Sequence, residues 1–180
     1  AQGLRDGPNP ARWKGHLALT LPRPSKVQKV EHHAALPVRE MPGFMKRLRA
    51  VHGVGAKALE FAILTAARSG EVRGMHWAEI DLDAKVWTVP AARMKADREH
   101  RVPLSGAAMA VLQGVPRQQG VDLVFPGTKG QPLSDMSLTA VMRRLKVDAV
   151  PHGMRSSFRD WTAEHTNFPN EVAEMALAHA

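Results

Sequence analysis

The stretch Pro151-His152-Gly153-Met154-Arg155-Ser156-Ser157-Phe158-Arg159-Asp160-Trp161 decides how this chain is interpreted. Its apolar residues recur at helical spacing and predict a helix with a stripe facing a core, formed by Met154, Phe158 and Trp161. His152, Arg155 and Arg159 follow one another at intervals of three and four residues, so their side chains can be neighbours. Free N–H groups and guanidinium groups near a helix start favour an anion. On this segment alone, a surface helix with solvated cations is the alternative.

The composition favours a polyanionic partner. The 180 residues carry 25 Lys and Arg against 17 Asp and Glu, a formal net charge of +8, and such an excess is typical of proteins that bind nucleic acid. The absence of cysteine excludes disulfides and thiolate metal sites. No apolar run reaches the roughly 18 residues that a membrane span needs, so no membrane partner is expected.

Residues 1–37 are predicted to form a basic linker or extension. Five prolines interrupt them, and no helical or strand period is sustained. Their cations suit a phosphate backbone, and a mobile solvated linker is the alternative. The pair His32-His33 is not assigned to a metal, because adjacent side chains diverge and no carboxylate or cysteine pattern accompanies them.

Helices are predicted from Met41 onward. The segment 56–68 is apolar on most sides, so it is expected to lie inside the core. It ends in Ala67-Arg68-Ser69-Gly70-Glu71, which places a cation at the tip of a buried helix, where its position is well defined. Ser69 is expected to cap the short helix that follows.

A small antiparallel sheet is predicted next. Three short segments have strand composition, namely residues 80–82, 86–89 and 101–104. Pro103 is best placed on an edge strand, because it cannot donate to a neighbour. The loop between the second and third strands carries Arg93, Lys95 and Arg98. A basic hairpin of this kind favours contact with DNA, and a solvated loop is the alternative.

Further helices are predicted after Ser105, over 134–145, over 152–165 and from 169 onward. In 134–145 the residues expected to face the core are Met136, Ala140, Val141 and Leu145. The fold class is therefore mainly α (α+β in detail), with residues 38–180 as one domain that includes a small three-stranded antiparallel sheet.

Five cationic or imidazole residues stand at element ends or loops: Arg68, Lys95, His152, Arg155 and His179. Guanidinium groups bind non-bridging phosphate oxygens, imidazoles donate further hydrogen bonds, and an ammonium can protonate a leaving alkoxide. Metal-dependent nucleases need clustered carboxylates instead, and the sequence shows no such cluster. The set therefore predicts phosphoryl transfer without a metal or other cofactor.

These motifs, in this order, resemble the catalytic domain of the tyrosine recombinase (phage integrase) family, with the character of P4-type prophage integrases. The resemblance covers roughly residues 40–180, and the preceding segment is similar to the interdomain linker. It rests also on Val86-Trp87-Thr88-Val89-Pro90, Met94-Lys95, Val102-Pro103-Leu104-Ser105 and Val124-Phe125-Pro126-Gly127.

The resemblance implies a role for each residue. Arg68 and Arg155 would bind the scissile phosphate, and Lys95 would protonate the 5′ leaving oxygen. His152 would assist proton transfer and phosphate binding, and His179 would donate a hydrogen bond to a phosphate oxygen. Glu71 would brace the Arg68 region, and the expected DNA contacts are Arg93, Arg98 and Arg159.

The resemblance also implies a function and partners. A tyrosine would attack DNA, form a 3′-phosphotyrosyl link and then be displaced by the partner strand, so that a prophage or mobile element is integrated or excised. Double-stranded attachment sites, a synaptic homotetramer of the full-length protein and a cytoplasmic, nucleoid-associated location in a bacterial host are expected.

The sequence departs from the family pattern in one respect: it contains no tyrosine. The family places the nucleophile about nine residues beyond the position matched by His179. We expect the 180 residues to be part of a longer integrase, with natural truncation or proteolysis as the alternatives. As given, they are expected to be inactive for cleavage. The competing functions are a non-catalytic DNA-binding module derived from an integrase and a type IB topoisomerase relative, which the motif contexts disfavour.

Overall fold

The computed structural model describes residues 9, 11–21, 33–94 and 96–179. The chain forms two compact units, Ala1–His32 and His33–Ala180. In the first unit the helical turns Trp13–Leu17 and Ala18–Thr20 follow one another. None of the described helices is long and apolar enough to cross a membrane.

The second unit is mainly helical, as predicted. Its α-helices are α1 (Met41–Arg49), α2 (Val54–Thr65), α3 (Ser69–Arg73), α4 (Gly106–Gln113), α5 (Met136–Arg144), α6 (Gly153–His165) and α7 (Asn170–Ala176). Short 3₁₀ turns occur at Val38–Glu40, Trp77–Glu79, Ala91–Arg93 and Thr128–Gly130.

Helix α2 lies at the centre of the unit, which confirms the expectation that it is a core helix. It packs against α1, α3, α4, α5 and α6, and Ala58, Leu59 and Phe61 are fully buried. The helix ends at Ala66, whose φ of 51° is left-handed. That turn directs the chain out of the core immediately before Arg68.

The predicted three-stranded antiparallel sheet is confirmed. Its strands are β1 (Ile80–Asp81), β2 (Val86–Val89) and β3 (His100–Pro103), in the order β1-β2-β3. Trp87 of β2 pairs with Val102 of β3, and its ring lies edge-on to Phe61 at 5.7 Å between centroids. The sheet therefore packs its inner face on α2, and β3 with Pro103 is an edge strand, as expected.

Two helix faces differ from the prediction. Met136 of α5 is 50% exposed and Ala140 is also exposed, whereas Leu138, Val141 and Met142 are buried. At about 100° per residue, Met136 stands on the opposite side of α5 from those three.

On α6 the buried set includes Arg155, Ser157 and Thr162, while Trp161 is 44% exposed. Polar residues can face the core when distant parts of the chain accept their hydrogen bonds, and a prediction based on apolar spacing alone does not detect them. The predicted apolar stripe is therefore correct for Met154 and wrong for Trp161.

The predicted cap of α3 is also different. The N-cap is Arg68, not Ser69, and the Arg68 N–H donates to Glu71 Oε2 at 2.8 Å. The buried Glu71 carboxylate, at the third helical position, thus accepts from the N–H of the N-cap residue, and this hydrogen bond is charge-assisted. Ser105 does cap α4, since its Oγ accepts from the Ala108 N–H at 3.2 Å.

Residues 33–37 pack against the start of α6. The Val150 N–H donates to Ala34 O at 3.1 Å, the Ser157 hydroxyl donates to Leu36 O, and Leu36 is buried. These residues belong to the second compact unit, although the sequence pattern assigns them to the linker. The division into a linker at 1–37 and a catalytic domain at 38–180 stays a prediction.

Candidate active site

Arg68 is held at the junction of α2 and α3. Its Nη1 donates to Glu71 Oε1 at 2.8 Å, in addition to the backbone bond to the other carboxylate oxygen. Its Nη2 donates to Ala178 O at 3.3 Å. The Glu71 side chain is only 6% exposed and that of Arg68 is 24% exposed, so the carboxylate is shielded from water and its hydrogen bond fixes the orientation of the guanidinium.

Arg155 is the most buried cation of the site, at 5% exposure. Nη1 donates to Ala66 O, and Nη2 donates to Leu177 O. Burial, and then the nearby Arg68 charge, lower the pKa of Arg155 to about 10, so the guanidinium stays protonated at neutral pH. A charge kept away from water, whose hydrogen-bond partners are neutral, attracts an anion strongly.

His179 is oriented by contacts on both ring nitrogens. Nε2 lies 3.1 Å from Arg155 Nη2, and because a guanidinium can only donate, Nε2 is the acceptor. Nδ1 therefore carries the hydrogen and donates to Glu174 Oε2 at 2.6 Å. Glu174 also lies 3.1 Å from Arg159 Nε, an ion pair without the alignment of a hydrogen bond.

His152 is the N-cap residue of α6 and is exposed at the edge of the cluster. Desolvation of part of its ring, followed by the charges of His33, Arg155, Arg68 and His179, lowers the pKa of His152 below its ordinary value. The ring is therefore mainly neutral at pH 7, which is the state that can accept a proton.

Two left-handed alanines supply backbone acceptors to this site. Ala66, with φ of 51°, presents its carbonyl to Arg155, and Ala178, with φ of 49°, presents its carbonyl to Arg68. A left-handed alanine costs about 1–2 kcal/mol, and such strain concentrates at functional sites. Sequence reasoning misses both residues, because neither alanine carries a chemical group of its own.

Arg93 was expected to contact DNA from the hairpin loop, but its guanidinium contacts other parts of the protein. Its Nη1 donates to Glu71 O at 3.0 Å, and its Nη2 pairs with Glu79. Glu79 also accepts from Trp87 Nε1 at 3.0 Å. Gly74 leaves space for the Arg93 guanidinium, because a Cβ at position 74 would lie 2.9 Å from Arg93 Nη1. The structure thus places Arg93 behind the Arg68 loop, and sequence reasoning misses Glu79 as its partner.

Lys95, the predicted general acid, lies outside the described residues. Arg98 is exposed in the turn that follows. Among residues 33–94 and 96–179, no three His, Asp or Glu side chains are arranged to hold a metal ion. The predicted independence from cofactors and the role of Lys95 stay predictions.

The fold thus brings together four of the five predicted residues. Arg68 comes from the end of α2, His152 and Arg155 from the start of α6, and His179 from the residues after α7. Two guanidinium groups and two imidazoles, held by Glu71, Glu174 and backbone carbonyls, form a cluster whose chemistry suits a tetrahedral anion.

Comparison with known proteins assigns the class. The family model described as the phage integrase family matches residues 37–180, and the chain belongs to that family. Prophage integrase IntZ of Escherichia coli K12 is 35% identical over 159 residues, which cover 86% of this chain and 40% of the relative. The integrase of Enterobacteria phage P4 is 31% identical over 173 residues, which cover 84% of this chain and 39% of the relative.

The fold has solved counterparts. A lambda integrase tetramer bound to a Holliday junction superposes with a TM-score of 0.65 at 21% identity, covering 92% of this chain and 51% of that one. This similarity confirms the predicted fold, and the sequence relatives confirm the P4-type character. The chain spans about two fifths of the length of the two prophage and phage relatives that it matches.

Proposed function

We propose that this chain is the catalytic domain of a site-specific DNA recombinase that cleaves and rejoins DNA through a 3′-phosphotyrosyl intermediate. The observation that carries the proposal is the convergence of Arg68, Arg155, His152 and His179 in one cluster, with Arg155 almost wholly buried. Family membership supports the reaction class. Integration or excision of a prophage or mobile element follows from the relatives.

Each side chain has a distinct task in this proposal. Arg68 and Arg155 bind the non-bridging oxygens of the scissile phosphate and stabilise the charge of the transition state. Neutral His152 takes the proton of the attacking hydroxyl, and Lys95 gives a proton to the 5′ oxygen that leaves. His179 supplies a further hydrogen bond to a phosphate oxygen.

The partner proposed is double-stranded DNA. The net charge of +8 supports it, as does the lambda integrase tetramer on its junction, whose fold the chain shares. For the full-length protein, we propose a synaptic homotetramer and a cytoplasmic, nucleoid-associated location. Arg98 and Arg159, both exposed, remain the proposed DNA contacts.

The nucleophile has to come from outside these 180 residues, because they contain no tyrosine. We therefore expect the 180-residue polypeptide to bind the phosphate and to catalyse rejoining, but not to cleave intact DNA. The rejoining half of the reaction needs no tyrosine if the DNA already carries a good leaving group on its 3′ phosphate.

A strand-joining assay tests this directly. A nicked duplex carries a 3′-(4-nitrophenyl) phosphate beside a 5′-hydroxyl, and is mixed with the 180-residue protein at low salt. The 5′ oxygen attacks phosphorus, the bond from phosphorus to 4-nitrophenolate breaks, and the hydroxyl proton passes to a base in the site. We expect joined strands and nitrophenolate in equal amounts, with Arg155→Ala slowing joining at least about 100-fold.

Arg39→Ala is the matched control, because it removes the same charge from an exposed position, where Arg39 Nε lies 4.0 Å from a Glu40 carboxylate oxygen. It should leave joining nearly unchanged. DNA binding without any joining, or joining that Arg155→Ala does not slow, would reject the recombinase chemistry and leave a non-catalytic DNA-binding module.

A further inference from the structure

His33 contacts the active site although it precedes the residues that the family model matches, 37–180. Its ring lies edge-on to the ring of His152, with 4.7 Å between the centroids and 69° between the planes. Edge-to-face packing at this distance is favourable and fixes the relative orientation of two rings. His33 was not assigned any role from the sequence pattern.

The backbone next to His33 is attached firmly to the start of α6. Ala34 O accepts from the Val150 N–H at 3.1 Å. Ala34 O would also lie only 2.0 Å from a Cβ at position 153, so the close approach requires Gly153. One helical turn later, the Ser157 hydroxyl donates to Leu36 O. The segment 33–37 therefore sits in a defined position against the helix that carries His152 and Arg155.

We propose that His33 is a positioning residue for His152: its ring packs edge-on against the imidazole and fixes the orientation of that imidazole within the cluster. This inference rests on the proposed function, in which neutral His152 accepts the proton of the attacking hydroxyl. The segment that enters the catalytic unit thereby takes part in setting its acid–base chemistry.

The groups that face His152 come from four places in the fold. His33 comes from the entering segment, Arg68 from the end of α2, Arg155 from α6, and His179 from the residues after α7. All four oppose a positive charge on His152. His33 alone can be changed without removing a group that is proposed to bind the phosphate, so it isolates the positioning effect.

The first test titrates His152 by NMR in the 180-residue protein without DNA, with the resonance assigned by its loss in His152→Gln. His33→Phe keeps an aromatic ring but removes the ring nitrogens, and His33→Ala removes the whole ring. We expect the pKa of His152 to rise in both variants, and its ring environment to change more in His33→Ala. His52→Ala, an exposed histidine elsewhere in the unit, is the control.

The second test follows the pH dependence of strand joining on a 3′-phenyl phosphate, whose poorer leaving group needs a proton. Because joining reverses cleavage, His152 gives that proton and its protonated form is the active one. The basic limb of the rate profile should therefore move to higher pH in His33→Phe, while the plateau rate changes little. A purely structural role would lower the plateau and leave the limb in place. Thermal unfolding of each variant identifies loss of folding.

The outcomes separate the two proposals. A His152 pKa that shifts no more in His33→Phe and His33→Ala than in His52→Ala overturns the role of His33, whatever the activity. If the pKa of His152 rises in the His33 variants as expected, but the wild-type protein joins no strands, the proposed function is overturned and the role of His33 stands.

Discussion

At the scale of single residues, the site depends on groups that hold the cations as much as on the cations themselves. Glu174 is the clearest case, because it accepts from His179 at 2.6 Å and pairs with Arg159. It thereby fixes which nitrogen of His179 carries the hydrogen and which faces Arg155. A carboxylate five residues before a histidine has no local signature, so the sequence does not single it out.

Glu174→Ala should slow strand joining by about 10-fold or more, because loss of an orienting charge-assisted hydrogen bond is worth about 1.5–3 kcal/mol. The imidazole ¹⁵N shifts of His179 should show a weaker preference for the Nδ1–H tautomer. The matched control is Glu164→Ala, at an exposed position on α6 where the carboxylate lies 3.8 Å from His165 Nε2. Equal rates for the two variants would contradict the orienting role.

At the scale of elements, α6 is organised by the backbone that crosses its first turn. The approach of Ala34 O to Gly153 leaves no room for a side chain, and the polar residues Arg155 and Ser157 are buried because carbonyl groups accept their hydrogens. The helix could be predicted from its period, but its buried face could not, since the acceptors come from distant parts of the chain.

Gly153→Ala should destabilise the unit by about 1–3 kcal/mol, because the new methyl group overpacks against Ala34. The cost exceeds the gain of about 0.5–1 kcal/mol that alanine normally brings to a helix. Urea unfolding followed by circular dichroism measures it.

Gly43→Ala in α1 is the opposite control. No atom lies within 4 Å of a Cβ built there, so it should stabilise the protein by about 0.5–1 kcal/mol. If Gly153→Ala and Gly43→Ala both stabilise the protein, residues 33–37 do not pack closely on α6.

At the scale of the whole molecule, the basic charge is divided between cations with internal partners and cations that face solvent. Arg93 pairs with Glu79 and with the Glu71 carbonyl, and its side chain is 26% exposed. Arg98 is exposed in the turn between β2 and β3. Both residues belong to one basic loop in the sequence, yet the fold gives them different surroundings.

These surroundings predict different effects on DNA binding. Affinity should fall linearly with the logarithm of salt concentration, and Arg98→Ala should reduce that slope by about 1, the value for one phosphate contact. Arg93→Ala should leave the slope unchanged and instead lower stability by about 1–3 kcal/mol, because Glu79 loses its partner.

Fluorescence anisotropy over a salt series, together with urea unfolding, measures both quantities. A slope reduced by Arg93→Ala and not by Arg98→Ala would reverse the assignment of the DNA contact.

The sequence by itself determined the order of the helices, the antiparallel sheet and the residue types suited to binding phosphate. Helical and strand periods are local properties, and the chemistry of Arg and His does not depend on the fold. Only the tertiary structure decided how those residues are held. Arg155 and Ala66 are 89 positions apart, and the contacts of Ala34, Ala66 and Ala178 are made by carbonyl groups that every residue possesses. Because no side-chain pattern marks such contacts, they follow from packing alone.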